Sequence, residues 1–416
     1  MDREEVARNQ RARLYGAMIE AIAQRGYQAT TVAHVIALAG VSRRAFYELF
    51  INKEACFLAT YDIVVARTRK RVIDAWTAER GWANRLHAGC KAMLDDVAES
   101  PNGPRLVLVD SLGIGPKVRE RMQLAGFTFE RLISGAFQVA PDGVGFSRLT
   151  SRGVVGGVRH VAFTRVHQGR ERELLTLSDE VLDWIESYRT PAAARLGLLS
   201  LASSTRVPPM PAEFLARDDR RARVLGSVVH LTLDEGYSRL TDPQIAQFAG
   251  MSTEAFHKQF PNKEECFLAV LDEFVAEALG TVRERFDSGS TWPEAVYRAM
   301  AAFVDYLVAH QALLRIAFID IFEVGPAIIG RMGRSVEAFT GLLAEQGPAP
   351  RRGPEIAQEA IAGAIWSIIS SYVANDRVAR LPCLVDHLAF IVLAPYIGSK
   401  AAVEEIQAAR RPLRSV

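Results

Sequence analysis

The 416-residue sequence lacks the features that mark exported, membrane-bound or disulfide-linked proteins. No apolar run reaches the roughly 20 residues that a membrane-spanning helix needs, and the first residues are charged, without the apolar stretch of a signal peptide. The four cysteines form no Cys-x-x-Cys pair and no cluster at metal-ligand spacing: Cys56, Cys90, Cys266 and Cys383. These absences predict a cytoplasmic protein with reduced cysteines, no membrane contact, no cofactor and no metal ion.

Catalytic motifs are missing as well. We find no Walker loop, Gly-x-Ser-x-Gly, His-Glu-x-x-His or paired-carboxylate arrangement. The composition, 49% hydrophobic and 24% charged, is that of an ordinary folded protein, and a net charge of +2 favours no class of partner. The sequence therefore predicts that the protein is not an enzyme.

An internal repeat dominates the chain. Residues 11–62 and 221–272 align without a gap at an offset of 210 positions, and 21 of the 52 aligned pairs are identical. The same offset aligns residues 105–122 with 315–332. A register kept over this length indicates two fused copies of one domain. The stretch between the copies is rich in Ala, Ser and Pro, as in a linker.

The start of each copy has the pattern of three short helices. In the first copy, apolar residues at helical spacing predict a helix over residues 11–25. Thr31 is suited to cap a second helix, Gly40 to form a tight turn, and Ser42 to cap a third helix with the sequence RRAFYELF. Two short helices joined by a glycine turn, the second carrying Arg and Tyr outward, predict a helix-turn-helix.

Residues 30–57, TTVAHVIALAGVSRRAFYELFINKEACF, resemble the DNA-binding signature of the tetracycline-repressor (TetR) family. The shared elements are Thr-Thr-hydrophobic, Ala-Gly-Val-Ser, Phe-Tyr-x-x-Phe and x-Lys-Glu. The rest of each copy resembles the family only in length and helical character. The resemblance implies an all-α fold of two tandem TetR-like units, each with a three-helix DNA-binding domain and a helical effector and dimerisation body. The two units are expected to pack as an intramolecular pseudo-dimer.

Five segments follow from the repeat and the resemblance. The predicted segments are a first helix-turn-helix domain over 1–58, a first ligand-binding and dimerisation body over 59–190, a linker over 191–217, a second, diverged helix-turn-helix domain over 218–268, and a second body over 269–416.

The resemblance also implies how the protein binds a double-stranded DNA operator. The third helix would enter the major groove, with Arg43 and Arg44 near base edges and Tyr47 on a phosphate. Lys53 would bring its charge and the amides of the next helix to another phosphate. The complete predicted set is Thr31, Ser42, Arg43, Arg44, Tyr47, Lys53, Thr241, Ser252, Thr253, His257 and Lys263. Four arginines predict a basic N-terminal arm: Arg3, Arg8, Arg11 and Arg13.

The two copies differ in charge where they would meet DNA. The net charge is +3 over residues 11–58 and −1 over residues 221–268. On the reading helix, Thr253, Glu254 and His257 replace Arg43, Arg44 and Tyr47. Either the second copy reads a different half-site, so that the operator is an asymmetric two-part sequence, or only the first copy binds DNA and the second is a structural or interaction module. The sequence favours the first alternative, because Ser252 and Lys263 are retained.

The later helices are expected to form the effector body. The last two helices of each copy, at about 148–166, 174–189, 356–373 and 381–396, would form an internal four-helix interface. Small residues there would permit close helix packing: Gly156, Gly157, Ala362 and Gly363. The resemblance further implies an unidentified small-molecule effector in an apolar cavity, for which the candidate lining residues are Met93, Phe127, Phe129, Phe303 and Phe339. Further association of two chains is left open.

The charge difference leads to a first prediction. Arg44→Ala should weaken operator binding by about 1–3 kcal/mol, the value of one good base contact, whereas Glu254→Ala should cost less or nothing. Titration of both variants against one operator at fixed salt measures the difference. Equal losses would contradict the inequality of the two copies.

Overall fold

The structure is a computed structural model that describes residues 3–138, 147–189, 212–325, 328–345, 347–351 and 356–410. Every regular element within these ranges is helical, which confirms the predicted all-α class.

The first copy contributes nine described α-helices. They are α1 (Arg3–Ala29), α2 (Val32–Ala39), α3 (Arg43–Leu49), α4 (Lys53–Ala78), α5 (Trp82–Glu99), α6 (Asn102–Arg105), α7 (Pro116–Gln138), α8 (Arg148–Gln168) and α9 (Ser178–Glu186).

The second copy contributes eleven within the same described ranges. They are α10 (Glu213–Ala216), α11 (Arg220–Glu235), α12 (Asp242–Phe248), α13 (Thr253–His257), α14 (Lys263–Asp287), α15 (Trp292–Ala309), α16 (Gln311–Phe318), α17 (Ile329–Ala344), α18 (Ala357–Val373), α19 (Val385–Ile397) and α20 (Ser399–Ala409).

We call α1 to α3 with the start of α4 the first head, and α11 to α13 with the start of α14 the second head. The first helix is longer than predicted at both ends, and Gly26 interrupts it with φ 72°. Residues 3–10 are therefore helical, and the predicted basic arm lies in the first part of α1.

The first head is built around one apolar cluster. Its members include Leu14, Met18 and Ile22 of α1, Val35 of α2, and Phe46, Phe50 and Phe57. Phe46 is fully enclosed, and burial of such a ring stabilises the fold by about 1.5–3 kcal/mol. Leu106 and Val118 lie beyond the head in sequence and belong to the same cluster. The head and the body of the first copy therefore share a core.

The chain divides into two compact units. The first contains Met1–Pro141 and Val158–Leu182, and the second contains Asp142–Gly157 and Asp183–Val416. The second unit thus includes the first half of α8 and the end of α9. The predicted segment boundaries stay predictions. Most of the predicted linker lies outside the described residues, but at its end Phe214 is buried and its N–H donates to Glu277 Oε1 at 2.6 Å.

Helices α8 and α18 approach closely within the second unit. A Cβ atom at Gly156 would lie 2.8 Å from the carbonyl oxygen of Gly363. A Cβ at Gly157 would lie 2.6 Å from the carbonyl oxygen of Ala360 and 2.3 Å from the ring of Trp184. Carbon atoms do not approach backbone oxygen this closely, so both positions require glycine, as the small residues predicted.

The crossing is reciprocal. Gly156 faces Gly363, Gly157 faces Ala360, and Gly153 faces Ala364. When the two helices are aligned with Gly156 on Gly363, the last two contacts are equivalent to each other with the helices exchanged. Nearby, the hydroxyl of Tyr188, just after α9, donates to the carbonyl oxygen of Ile391 in α19 at 2.9 Å. Parts of α8 and of the α9 region therefore pack on α18 and α19 within the second unit, as an interface between these closing helices requires.

One described segment is apolar and long enough to cross a membrane by length and composition. This segment is Val378–Ile397, and 72% of its most apolar stretch is buried inside the fold. The bent pair α15 and α16 meets the same criterion only if the two helices are taken as one span. Burial of this kind is the environment of a core helix.

The glycine crossing leads to a second prediction. Gly157→Ala should destabilise the protein by about 1–3 kcal/mol, because the added methyl group overpacks the contact with Ala360 and Trp184. Gly126→Ala is the matched control on α7, where an added Cβ meets nothing within 4 Å, and it should stabilise by up to about 1 kcal/mol through helix propensity. Urea unfolding followed by circular dichroism measures both, and a stable Gly157→Ala protein would contradict the close crossing.

Candidate nucleic-acid interface

The turn between α2 and α3 is fixed by local hydrogen bonds. Thr31 Oγ1 accepts from the N–H of His34 at 3.3 Å, and His34 Nδ1 accepts from the N–H of Thr31, which completes a capping box. Gly40 adopts φ 58° and ends α2. Ser42 Oγ accepts from the N–H of Ala45 at 3.1 Å and begins α3. The predicted Thr31 and Ser42 are therefore helix caps, and the role of His34 as a cap partner was not predicted.

Arg13 also supports the turn. Its Nη2 donates to the carbonyl oxygen of Gly40 at 3.0 Å. The guanidinium expected to follow the DNA backbone is thus tied to the protein and positions the start of α3.

The outer side of α3 carries the predicted reading residues. Arg43, Arg44 and Tyr47 are all exposed. Arg44 Nε lies 2.9 Å from Glu48 Oε1, in a pair whose side chains are 90% and 60% exposed. Such an exposed ion pair stabilises the fold by at most about 1 kcal/mol, so the Arg44 guanidinium can readily leave Glu48 for another acceptor. Within the described part of the chain, Arg43 and the Tyr47 hydroxyl have no hydrogen-bond partner.

Lys53 does not extend outward as expected. Its ammonium donates to the carbonyl oxygens of Tyr27 at 2.9 Å and Thr30 at 2.8 Å, and lies 4.0 Å from the centre of the Tyr27 ring. Burial lowers the pKa of this ammonium. The side chain therefore joins the end of α1 to the start of α4. The backbone N–H of Lys53, in the first turn of α4, remains available to an anion.

The second head repeats this architecture. Ser252 Oγ accepts from the N–H of Ala255 at 3.2 Å, and Thr241 caps α12 in a capping box with Gln244. The Lys263 ammonium donates to the carbonyl oxygens of Tyr237 at 3.2 Å and Leu240 at 2.8 Å, as Lys53 does. Thr253 begins α13, which has five residues where α3 has seven.

Asp242 makes the second head different. It occupies the place of Val32, and its Oδ1 accepts from the backbone N–H of Lys263 at 2.8 Å. Its Oδ2 lies 3.7 Å from Nε2 of His257, which itself occupies the place of Tyr47. One internal carboxylate therefore engages both groups expected to contact phosphate. Glu254, in the place of Arg44, pairs instead with Lys258 at 2.9 Å.

Both heads match the DNA-binding domain of a known family. A sequence model described as bacterial regulatory proteins, tetR family, matches residues 16–60 and again residues 229–270. The chain carries two tetR-family DNA-binding domains in tandem. Each of them is a helix-turn-helix domain.

Individual relatives match parts of this tetR-family chain. It is 27% identical over 126 residues to the transcriptional activator FasR of Mycolicibacterium smegmatis, covering 30% of this chain and 58% of FasR. It is 25% identical over 167 residues to the regulator EthR of the same organism, covering 38% of this chain and 76% of EthR. The solved structure of FadR from Bacillus subtilis in complex with stearoyl-CoA matches with a TM-score of 0.39 and 18% identity, over 42% of this chain and 96% of FadR.

The residues predicted to line an effector cavity lie on four helices of the two bodies. Met93 is on α5, Phe127 and Phe129 on α7, Phe303 on α15 and Phe339 on α17. The rings of Phe303 and Phe339 lie 4.9 Å apart and pack on each other. Phe127 is 39% exposed, while Met93 and Phe129 are partly buried. The structure thus places Phe303 and Phe339 in direct contact.

The two cysteines that align with each other across the repeat are not placed for nucleophilic or metal-binding chemistry. Cys56 and Cys266 are fully buried, and burial raises the pKa of the Cys56 thiol to about 12. Among the described residues no group of three or more His, Cys, Asp and Glu side chains could hold a metal ion.

The inward position of Lys53 leads to a third prediction. Lys53→Met should lower stability by about 1–3 kcal/mol, because two buried carbonyl oxygens lose their donor, while the slope of log affinity for DNA against log salt should stay nearly unchanged. Loss of a phosphate contact would instead reduce that slope by about one. Lys70→Met is the control, since Lys70 is an exposed lysine of α4 paired only with Asp74. A reduced slope with normal stability would show that the side chain contacts DNA.

Proposed function

We propose that this tetR-family protein is a cytoplasmic transcriptional repressor that binds a specific operator chiefly through its first head and is released by a small-molecule effector. The observation that carries the proposal is the contrast between the heads. The first offers exposed Arg43 and Tyr47 and an open helix amide. The second has Thr253 in the place of Arg43 and directs His257 and the Lys263 amide to Asp242. No catalytic step is part of this function.

The first head has the chemistry of a major-groove reader. Arg43 and Arg44 are at the N-terminal end of α3, where a guanidinium can bind O6 and N7 of guanine together. Tyr47 and the first amides of α4 lie where they can donate to phosphate oxygens, which fixes the orientation of the helix on the duplex. Thr31 and Ser42, beside them, keep hydroxyl hydrogens that can be donated in the same way.

The second head is expected to bind weakly. A phosphate approaching α14 must displace or approach the Asp242 carboxylate, and two negative charges repel each other. We therefore expect an operator with one strong and one weak, unlike half-site. The contacts of Asp242 therefore favour the alternative in which the second copy is chiefly a structural partner.

Effector control acts through the shared core. Because Leu106 and Val118 of the first body pack in the cluster of the first head, a change in the body alters the position of α1 and α3. An effector shifts the equilibrium only by binding one arrangement more tightly than the other. The residues predicted to line its cavity remain part of this proposal.

Selection from random DNA at moderate salt tests the proposal directly. One strong half-site with a weaker, unlike neighbour supports it, and binding should fall steeply as salt rises through counterion release. Two equally strong halves would contradict the inequality of the heads. No enriched sequence would remove the DNA-binding claim.

The inequality yields a fourth prediction. Asp242→Val, which copies Val32, should strengthen binding to the selected operator by a few-fold or more and sharpen the weak half-site, because an anion is removed from the phosphate position. Asp234→Val is the charge-matched control: Asp234 is exposed on α11 and paired with His230. Equal gains from both variants would indicate a general charge effect and contradict a specific role of Asp242.

A further inference from the structure

One side of α7, in the first body, is exposed and combines apolar with charged residues at helical spacing. The residues are Glu120, Leu124, Phe127 and Arg131, which follow one another at intervals of four, three and four positions. Residues at this spacing lie one above another on a helix. All four side chains are exposed, Leu124 by 53% and Phe127 by 39%. We call these four residues the α7 stripe.

The opposite side of α7 packs on the rest of the first unit. Val118 is buried in the apolar cluster of the first head, and Met122 and Ala125 pack against that cluster. At about 100° per residue, these three side chains leave the helix roughly 160° away from the α7 stripe. The α7 stripe is therefore not the side by which the helix is held in the fold.

The corresponding helix of the second copy, α17, has an ordinary solvated surface at these positions. In the register of the repeat, its residues are Gly330, Arg334, Glu337 and Gly341. Exposed Arg334 and Glu337 thus take the places of Leu124 and Phe127. Within the described ranges of the second body, no large apolar side chain is as exposed as these two. A single exposed leucine needs no explanation, but an adjacent apolar pair in only one of two copies indicates a contact made by that copy alone.

The α7 stripe is complementary to itself in an antiparallel arrangement. When two α7 helices are related by a two-fold axis between residues 125 and 126, Leu124 of one chain lies opposite Phe127 of the other, and Glu120 lies opposite Arg131. The contact then has an apolar centre between two attractive charge pairs, as in the seam of two paired helices. A parallel pair would instead place Glu120 against Glu120 and Arg131 against Arg131. Because both chains use the same surface, the association closes at two chains.

We propose that two copies of this chain associate through the α7 stripes of their first bodies, in an antiparallel two-fold contact, and that the second bodies take no part in it. The proposal goes beyond the proposed function and is independent of it, because the contact includes no residue of either head. One helix pair buries less surface than the roughly 1,200 Å² of a stable interface, so the expected dissociation constant is about 1–100 µM.

Sedimentation velocity of the full chain without DNA tests the proposal, as our fifth prediction. Over concentrations of about 1–200 µM, which bracket the expected constant, the sedimentation coefficient should rise from that of one chain to that of two. Leu124→Glu combined with Phe127→Glu should weaken association about tenfold or more, because the apolar contacts become pairs of like charges. Leu175→Glu is the matched control at a leucine that is 43% exposed in the same unit, and it should associate as the unaltered protein does.

Charge reversal tests the antiparallel register. Glu120→Arg and Arg131→Glu should each weaken association about threefold or more, because each variant places like charges opposite one another at both ends of the contact. Combining Glu120→Arg with Arg131→Glu should restore the affinity, since both pairs again have opposite signs. A combined variant as weak as the single variants would overturn the proposed contact.

Two other results would also overturn the proposal. One is a chain that stays monomeric over the whole concentration range. The other is association that remains unchanged when Leu124 and Phe127 are both replaced by Glu. At about 1 µM, where the expected dimer is largely dissociated, this double variant should melt as Leu175→Glu does. A much lower melting temperature would show that the α7 stripe is covered within one chain, which contradicts the proposal as well.

Discussion

The rest of the molecule depends on the crossing of α8 and α18. Its contacts at Gly156 and Gly157 bring a backbone carbonyl oxygen to within 3 Å of where a Cβ would stand, so neither helix can be exchanged for one with larger residues at these positions. The reciprocal pairs around Gly363 give the contact the form of a two-fold interface. Because both helices belong to one chain, each copy has been able to change without disturbing an identical partner, which a free homodimer does not allow.

The two heads keep the same internal hydrogen bonds but differ at their surfaces. Their caps, their turn and their inward lysines are the same, since Lys53 and Lys263 each join the last carbonyls of one helix to the start of another. What differs is the surface. Asp242 satisfies a helix amide that the first head leaves open and faces the residue that replaces Tyr47. The fold of the second head is thus maintained by the same internal bonds, while Asp242 places a carboxylate on an amide that is open in the first head.

The two bodies differ in the size of the side chains inside them. The second copy fills its interior with Met300 and the stacked pair of Phe318 and Trp366, where the first has the smaller Cys90 and Leu108. The shared core that contains Leu106 and Val118 joins the head and the body of the first copy.

The sequence by itself determined the all-helical class, the duplication, the helix-turn-helix with its caps at Thr31 and Ser42, and the need for glycine in α8, because each depends on local spacing or on the size of one side chain. It also placed Arg43, Arg44 and Tyr47 on the outer side of α3. It did not identify the contacts of the Lys53 ammonium with the carbonyl oxygens of Tyr27 and Thr30, or those of Asp242. These depend on which groups meet across different helices, and a hydrogen bond between Asp242 and Lys263 exists only once tertiary packing has brought those helices together.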